Sequence, residues 1–407
     1  MIKKPQKKTL NFFVKLNSMA AVQENIERQV LTDVVKHGET SRTEISERTG
    51  LSKSTVSRAL RTLLERGLLS EYAQASNVPA RGRPIKQVAT NPTLALVAGI
   101  DLGVMTTRII VCNAKGELQS KIQVPTQKNG SSAIWSGAWT ELKKISPHFG
   151  DNPLDQCSVA VPGAVAGTPP TISNAPNLPG IEGTEFIREA TLSLKNRVLI
   201  DNDVNLGLTA ELIVGRAKEV GSASMVTIGS GLGTAISINR RILRGERGLV
   251  GEFGQLSVGQ DGRKLEDSIK GRDLLELADS LSLEIDAPGD LLSLPAKLAG
   301  PALYSFHSAL ITVLTALTVA SDPEVIVVGG GTGERLRDNF AGYMSTITKS
   351  LGYAPTIVAS ELGEFGPAIG ASIFGVSELW KAIGVSVDDS LDSLSSPGCR
   401  LLSGIID

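Results

Sequence analysis

"LVAGIDLGVMTTRIIVCNAKGELQSKIQVP" (residues 96–125) reads strand, glycine turn, strand, turn, strand. "SMVTIGSGLGTAISINRRILRG" (residues 224–245) reads the same way. Short apolar runs bounded by glycine turns are the signature of hairpin strands. Two such copies, separated by about one lobe of chain, read as an internal duplication. The stretch therefore predicts an α/β body over residues 96–385, with two lobes that each open on a β-hairpin and face each other across a cleft. Between the copies lie "VAVPGAVAG", "NAPNLPG" and "VLIDNDVNLGLTAEL". After them, "DPEVIVVGGGTGE" predicts a buried strand ending in three glycines.

The rest of the chain is organised around that body. Its 407 residues are too many for one small core, and 41% apolar residues exclude a disordered chain. The net charge of −1 hides a split: residues 1–90 carry 16 Lys+Arg and 8 Asp+Glu, and the remainder 25 and 34. A basic head on an acidic body suits a polyanionic partner, although a solvated charged surface has the same composition. Cys112, Cys157 and Cys399 are far apart and form no CxxC pair, so neither a disulfide framework nor a cysteine zinc site is expected. A reducing cytoplasm fits. The first 21 residues form a basic tail without the apolar run of a signal peptide. Leu303–Ala320 has the length of a membrane span, but its Ser, Thr and His content and the strand after it predict a buried helix. The Ser/Asp-rich residues 386–407 read as a poorly ordered tail.

Residues 22–92 read as a winged helix-turn-helix. Ile26, Val30, Leu31 and Val34 mark one face of a first helix. "SRTE" (residues 41–44) is a capping box for a second, and Gly50 makes the turn. "LSKSTVSRALRTLLERG" (residues 51–67) predicts a third, capped by Ser52, stopped by Gly67, with Val56, Leu60, Leu63 and Leu64 inside. Lys53, Ser54, Thr55, Ser57, Arg58 and Arg61 are left to meet base edges and phosphates in a major groove. Residues 68–72 and 86–89 would pair as a wing. Between them, Arg81 and Arg83 of "RGRP" suit a narrow minor groove; a polar linker is the plainer reading of four residues.

In the body, Gly103, Ser230, Gly231, Gly233, Gly330 and Gly331 lie in turns that could bring backbone amides to phosphates. Asp203 ends an apolar strand and precedes a helix. A carboxylate there could take a proton from a sugar hydroxyl, or simply cap the helix.

The ordered set "GLSKSTVSRAL", "RGRP", "GIDLG", "VPGAV", "NAPNLPG", "DNDVN", "GSGLG", "GEFGQ" and "VIVVGGG" resembles the ROK family of repressors, open reading frames and sugar kinases, in its DNA-binding branch. The resemblance spans roughly residues 22–385. It implies an actin-like, hexokinase-like fold, a sugar-type ligand in the cleft, and a homodimer or dimer of dimers with paired DNA readers. It assigns Gly163, Asn202, Asp203, Glu252, Gln255 and Glu266 to the sugar site, with Asp203 as catalytic base wherever kinase activity persists.

Two departures from the family pattern stand out. Gln255 replaces the histidine of Gly-Glu-x-Gly-His, and the CxCGxxGC segment is missing, leaving "KLED" (residues 264–267). No zinc or other metal is therefore expected. The first phosphate turn, Asp-x-Gly-Gly-Thr in family kinases, is Asp101-Leu102-Gly103-Val104-Met105 here. Val104 adds bulk where backbone should approach phosphate, and Met105 offers no hydroxyl, so ATP binding and turnover are not expected. The reading is a sugar-responsive regulator of double-stranded operator DNA, most simply a repressor. Its rivals are an active sugar kinase carrying a DNA reader, and a ligand-independent dimeric scaffold.

Overall fold

The computed structural model describes residues 24–73, 86–258, 262–285, 288–292, 294 and 296–385. Both tails, the "RGRP" segment with Arg81 and Arg83, and Cys399 lie outside the described residues.

The head runs α1 (Glu24–His37), β1 (Thr40–Ser41), α2 (Arg42–Thr49), α3 (Lys53–Glu65), β2 (Leu69–Ala73) and β3 (Lys86–Thr90). Its caps follow from single residues. The Ser41 hydroxyl accepts from the Glu44 amide at 3.3 Å, and the Glu44 carboxylate accepts from the Ser41 amide at 2.6 Å. Gly50 closes α2 at φ 71°, a left-handed conformation that glycine adopts without strain. The wing pairs β2 with β3 from Leu69↔Thr90 to Ala73↔Lys86, and β1 adds a third strand at β3. A two-residue strand has too little alternation to be legible in sequence.

Lobe one contains β4 (Leu96–Leu102), β5 (Thr106–Asn113), β6 (Leu118–Pro125), α4 (Ser131–Ile145), β7 (Gln156–Val161), β8 (Ala164–Ala166), β9 (Thr171–Ser173), α5 (Glu185–Leu194) and β10 (Val198–Asn202). Then α6 (Asp203–Val214) leads into lobe two: β11 (Ala223–Ile228), β12 (Leu232–Ile238), β13 (Arg241–Ile242), β14 (Ser257–Val258), β15 (Arg263–Lys264), α7 (Gly271–Ser280), α8 (Pro288–Leu292), α9 (Ala296–Ser321), β16 (Val325–Gly329), α10 (Phe340–Leu351) and β17 (Thr356–Ala359). Last, α11 (Gly366–Ile383) returns to lobe one.

The duplication is plain in the sheets, ordered β10-β7-β4-β5-β6 and β13-β12-β11-β16-β17. In each, an antiparallel hairpin unit is extended by two parallel strands. Lobe one closes over Ile100, Trp135, Phe149 and Phe186, and lobe two over Val226, Phe306, Leu310 and Ile326. Each such side chain contributes about 1.5–3 kcal/mol on burial.

Two helices join the parts. Every residue of α6 from Val204 to Ile213 is buried, the polar Asn205, Thr209 and Glu211 included, so the helix is covered on all sides. Leu208 and Leu212 pack with Met225 and Val327 of lobe two, while Leu206 packs with Ala160 and Ala371 of lobe one. The second helix, α11, sits so close that a Cβ on Gly370 would lie 1.8 Å from the Leu206 carbonyl oxygen. Beyond that contact, α11 reaches the head. Leu379, Trp380 and Val385 share one core with Val30, Val34, Leu60 and Leu68 of the head, and the Trp380 indole donates to the Ala114 carbonyl at 3.0 Å.

The apolar helix α9, expected to be a buried helix, is buried along one face. Phe306, Leu310, Val313, Leu314 and Leu317 face lobe two, whereas Tyr304 and Val319 face outward.

Candidate functional site

Two polar regions stand out, one on the head and one between the lobes. On the head, the Ser52 hydroxyl accepts from the Thr55 amide at 3.1 Å and starts α3. Val56, Ala59, Leu60 and Leu63 bury one face. The 3.6-residue period then places Lys53, Ser54, Arg58 and Arg61 on the exposed face, with Ser57 and Thr55 half-buried at its edge. Thr55 is more committed than its sequence suggested, because its hydroxyl lies 2.8 Å from that of Ser52. The reader is braced from behind. Arg48 donates to both carboxylate oxygens of buried Asp33, at 2.9 and 2.7 Å. Glu71, gripped by Lys86 and by Arg42 at 2.7 Å, ties the wing to α2 and is held below the usual carboxylate range by these cations.

Between the lobes, the junction of β10 and α6 sets the geometry. Asn202, not Asp203, is the helix cap: its side-chain oxygen accepts from the Val204 and Asn205 amides, each at 3.0 Å. Its amide nitrogen donates to the Gly163 carbonyl at 3.0 Å. Gly163 has φ 102°, and a Cβ there would lie 2.6 Å from the Ser173 carbonyl oxygen, so only glycine fits. Asp203 is thereby fixed as the first helical residue, facing other acids. Burial pushes its carboxyl up to about 7, opposed by the Val204 amide and helped by the nearby Glu252 charge.

The loop with the missing segment closes on itself. A hairpin pairs Ser257 with Lys264 and Val258 with Arg263, bringing Glu266 back beside Gln255. Gln255 donates to Glu266 at 3.2 Å and accepts from Lys264 at 2.6 Å. Glu252 accepts from Asn174 of lobe one at 3.3 Å, and burial followed by the Glu266 charge raises its carboxyl. Thus the structure brings Asn202, Asp203, Glu252, Gln255 and Glu266 into one acidic group bordered by Gly163. Asn174 opens the stretch "NAPNLPG", yet nothing local assigns it to the site; at φ 55° it reaches Glu252 across 78 residues.

The glycine turns divide by role. A Cβ on Gly233 would lie 2.4 Å from Val204, and one on Gly330 2.4 Å from the Ile228 carbonyl oxygen. A Cβ on Gly103 would lie 2.6 Å from the Thr106 carbonyl oxygen. These three glycines are required by packing whatever they bind. Ser230 is exposed, Gly231 faces Asn177 across the cleft, and Gly331 lies near Glu364. The first turn also holds an ion network absent from the sequence reading. Arg108 meets Asp101 at 3.5 Å and Glu364 more closely still. Asp101 is Arg108's cross-strand partner, so the hairpin register was the available signal. Burial, then the Asp203 charge, pushes the Asp101 carboxyl up to about 8.

Residues 97–377 match the ROK family, and residues 35–71 match the IclR helix-turn-helix domain. The xylose repressor of Bacillus spizizenii is 25% identical over 363 residues, covering 85% of this chain and 93% of its own. A glucokinase of Halalkalibacterium halodurans is also 25% identical, over 57% of this chain and 79% of its own. Among solved structures, a ROK family transcriptional regulator homologous to the E. coli Mlc protein superposes with a TM-score of 0.70 at 17% identity, over 89% of this chain and 97% of that one. With a match across most of the two-lobed body, the chain belongs to the ROK family.

Proposed function

We propose that the protein is a sugar-responsive DNA-binding transcriptional repressor. The observation that carries this reading is the continuous core along α11, which joins the head to the lobe bearing half of the acidic site. Carboxylates accept hydrogen bonds from adjacent hydroxyls, so Asp203, Glu252 and Glu266 suit a polyol, and Gln255 can both donate and accept. A sugar bridging Asp203 and Glu252 favours one closure of the lobes. The head, packed on lobe one and α11, then changes its placement relative to a partner's head. A ligand shifts this equilibrium only by its differential affinity for the two shapes. A homodimer on a near-palindromic operator, with half-sites about one helical turn apart, completes the reading. So does a cytoplasmic location. The xylose repressor relatives support repression, and an aldopentose is a natural first effector to try.

We read the protein as a binder rather than a kinase, without zinc or ATP. The Arg108 ion network occupies the first turn, where a kinase would receive phosphate, and Met105 at its tip is exposed. The Gln255–Glu266 hydrogen bond and its hairpin hold the loop where zinc ligands are missing. One feature favours the rival: burial pushes the Asp203 carboxyl up to about 7, which suits it to accept a proton from a sugar hydroxyl. A coupled ADP-release assay across common aldoses separates the two. Binding without turnover supports the repressor, and turnover lost in Asp203→Asn supports the kinase.

A further inference from the structure

A cavity of 530 Å³ lies at the lobe junction, and none of the sugar-site residues lines it. It is within the range of about 300–1,000 Å³ of small-molecule sites. Its apolar wall is Ile200, Ile242, Ile373 and Phe374, and its cationic side chains are Arg241, Arg244 and Lys381, against the single carboxylate Asp201. All three cations are already engaged: Arg244 donates to Asp201 through Nε at 2.8 Å and Nη2 at 2.6 Å, Lys381 pairs with Glu378 at 3.0 Å, and Arg241 also has a partner, so an anion would exchange with these contacts. We propose that this cavity binds a small organic anion. Its phosphate or carboxylate would meet Arg241, Arg244 and Lys381, and its carbon frame would lie on the isoleucines and Phe374.

The cavity is physically joined to the sugar site, and this coupling rests on the function proposed above. Arg244 begins the segment that ends at Glu252. Within it, Gly248 at φ 69° presses on lobe one so closely that a Cβ would lie 2.5 Å from the Val165 carbonyl oxygen. Val165 also lines the cavity, and Asp201 immediately precedes the cap Asn202. An anion that draws Arg244 away from Asp201 therefore shifts the Glu252 segment and the β10–α6 junction together. Lys381 lies on α11 beside Trp380, so the same ligand also touches the helix that carries the head.

Isothermal titration of the full chain, without sugar or DNA, tests the site by itself. The probes are phenyl phosphate, benzoate and inorganic phosphate, with phenol as the uncharged control. Saturable binding of phenyl phosphate or benzoate that phenol does not reproduce is expected. It should be lost in Arg241→Glu/Lys381→Glu and kept in Lys144→Glu, a reversal of an exposed cation on α4 outside the cavity. Preference for phenyl phosphate over benzoate would assign the phosphate class, and the reverse the carboxylate class. No saturable binding by either organic anion, or binding unchanged in Arg241→Glu/Lys381→Glu, overturns the proposal, as does equal loss of binding in Lys144→Glu, which would mark it as unspecific charge attraction. A repeat with saturating anion should change sugar affinity by at least about fivefold, the lower edge of common allosteric couplings. Unchanged sugar affinity overturns the coupling while the site stands on the first titration.

Discussion

The reading helix α3 and the loop from Gly251 to Asp267 are both polar surfaces, yet they present charge in opposite ways. On α3 the cations face solvent, and the apolar stripe behind them does the folding. In the loop Glu252 is drawn among other carboxylates and partly buried, and burial followed by the Glu266 charge raises its affinity for protons. Exposed cations gain affinity for a polyanion mainly by releasing counterions. Crowded carboxylates gain specificity for a ligand with several hydroxyls, because an ordinary apolar molecule leaves them unsatisfied. On the proposed reading, one surface suits a long, uniform partner and the other a small, particular one.

The largest expected effect lies on the reader. Arg58→Ala combined with Arg61→Ala should cost operator affinity about 2–6 kcal/mol if both contact bases, and fluorescence anisotropy at fixed salt reads it. An equal loss on unrelated DNA would assign both side chains to phosphates. Next is the loop. Glu252→Ala should weaken sugar binding by about 1.5–3 kcal/mol, the worth of hydrogen bonds to a charged group, while operator binding without sugar stays unchanged. Loss of operator binding in that variant would mean that the loop folds the molecule rather than reading a ligand.

A smaller effect concerns pH. The Asp203 and Asp101 carboxyls are raised in the folded state, so the native protein holds protons that the unfolded chain has released. Stability should therefore fall as pH rises from about 4 towards 7 and 8. Asp203→Asn should raise Tm at pH 8 and change it little at pH 4; a uniform shift at both values would exclude this source. Smallest is the cap: Ser52→Ala should lower stability by about 1 kcal/mol in thermal unfolding, with no change in sugar binding.

The comparison also explains what was legible in the sequence. The head was readable nearly to the residue, because caps, turn glycines and a 3.6-residue stripe are local signals. Ser41, Glu44, Gly50 and Ser52 each do in the fold what their types suggest. The duplication was readable because a hairpin with glycine turns occurs twice. The cleft was harder. Asn202 and Asp203 stood out as a pair, but which one caps the helix depends on Gly163, 39 residues earlier in the chain. Asn174 and Glu364 reach their partners across 78 and 256 residues, distances at which no periodicity carries information.

The most direct test is a titration of the full chain on its operator with a panel of aldoses, xylose and glucose included, while operator occupancy is followed by anisotropy. The account predicts that at least one sugar releases the DNA, and that Glu252→Ala binds the same DNA but no longer responds. Occupancy that stays constant at saturating concentrations of a sugar shown independently to bind the cleft would contradict it.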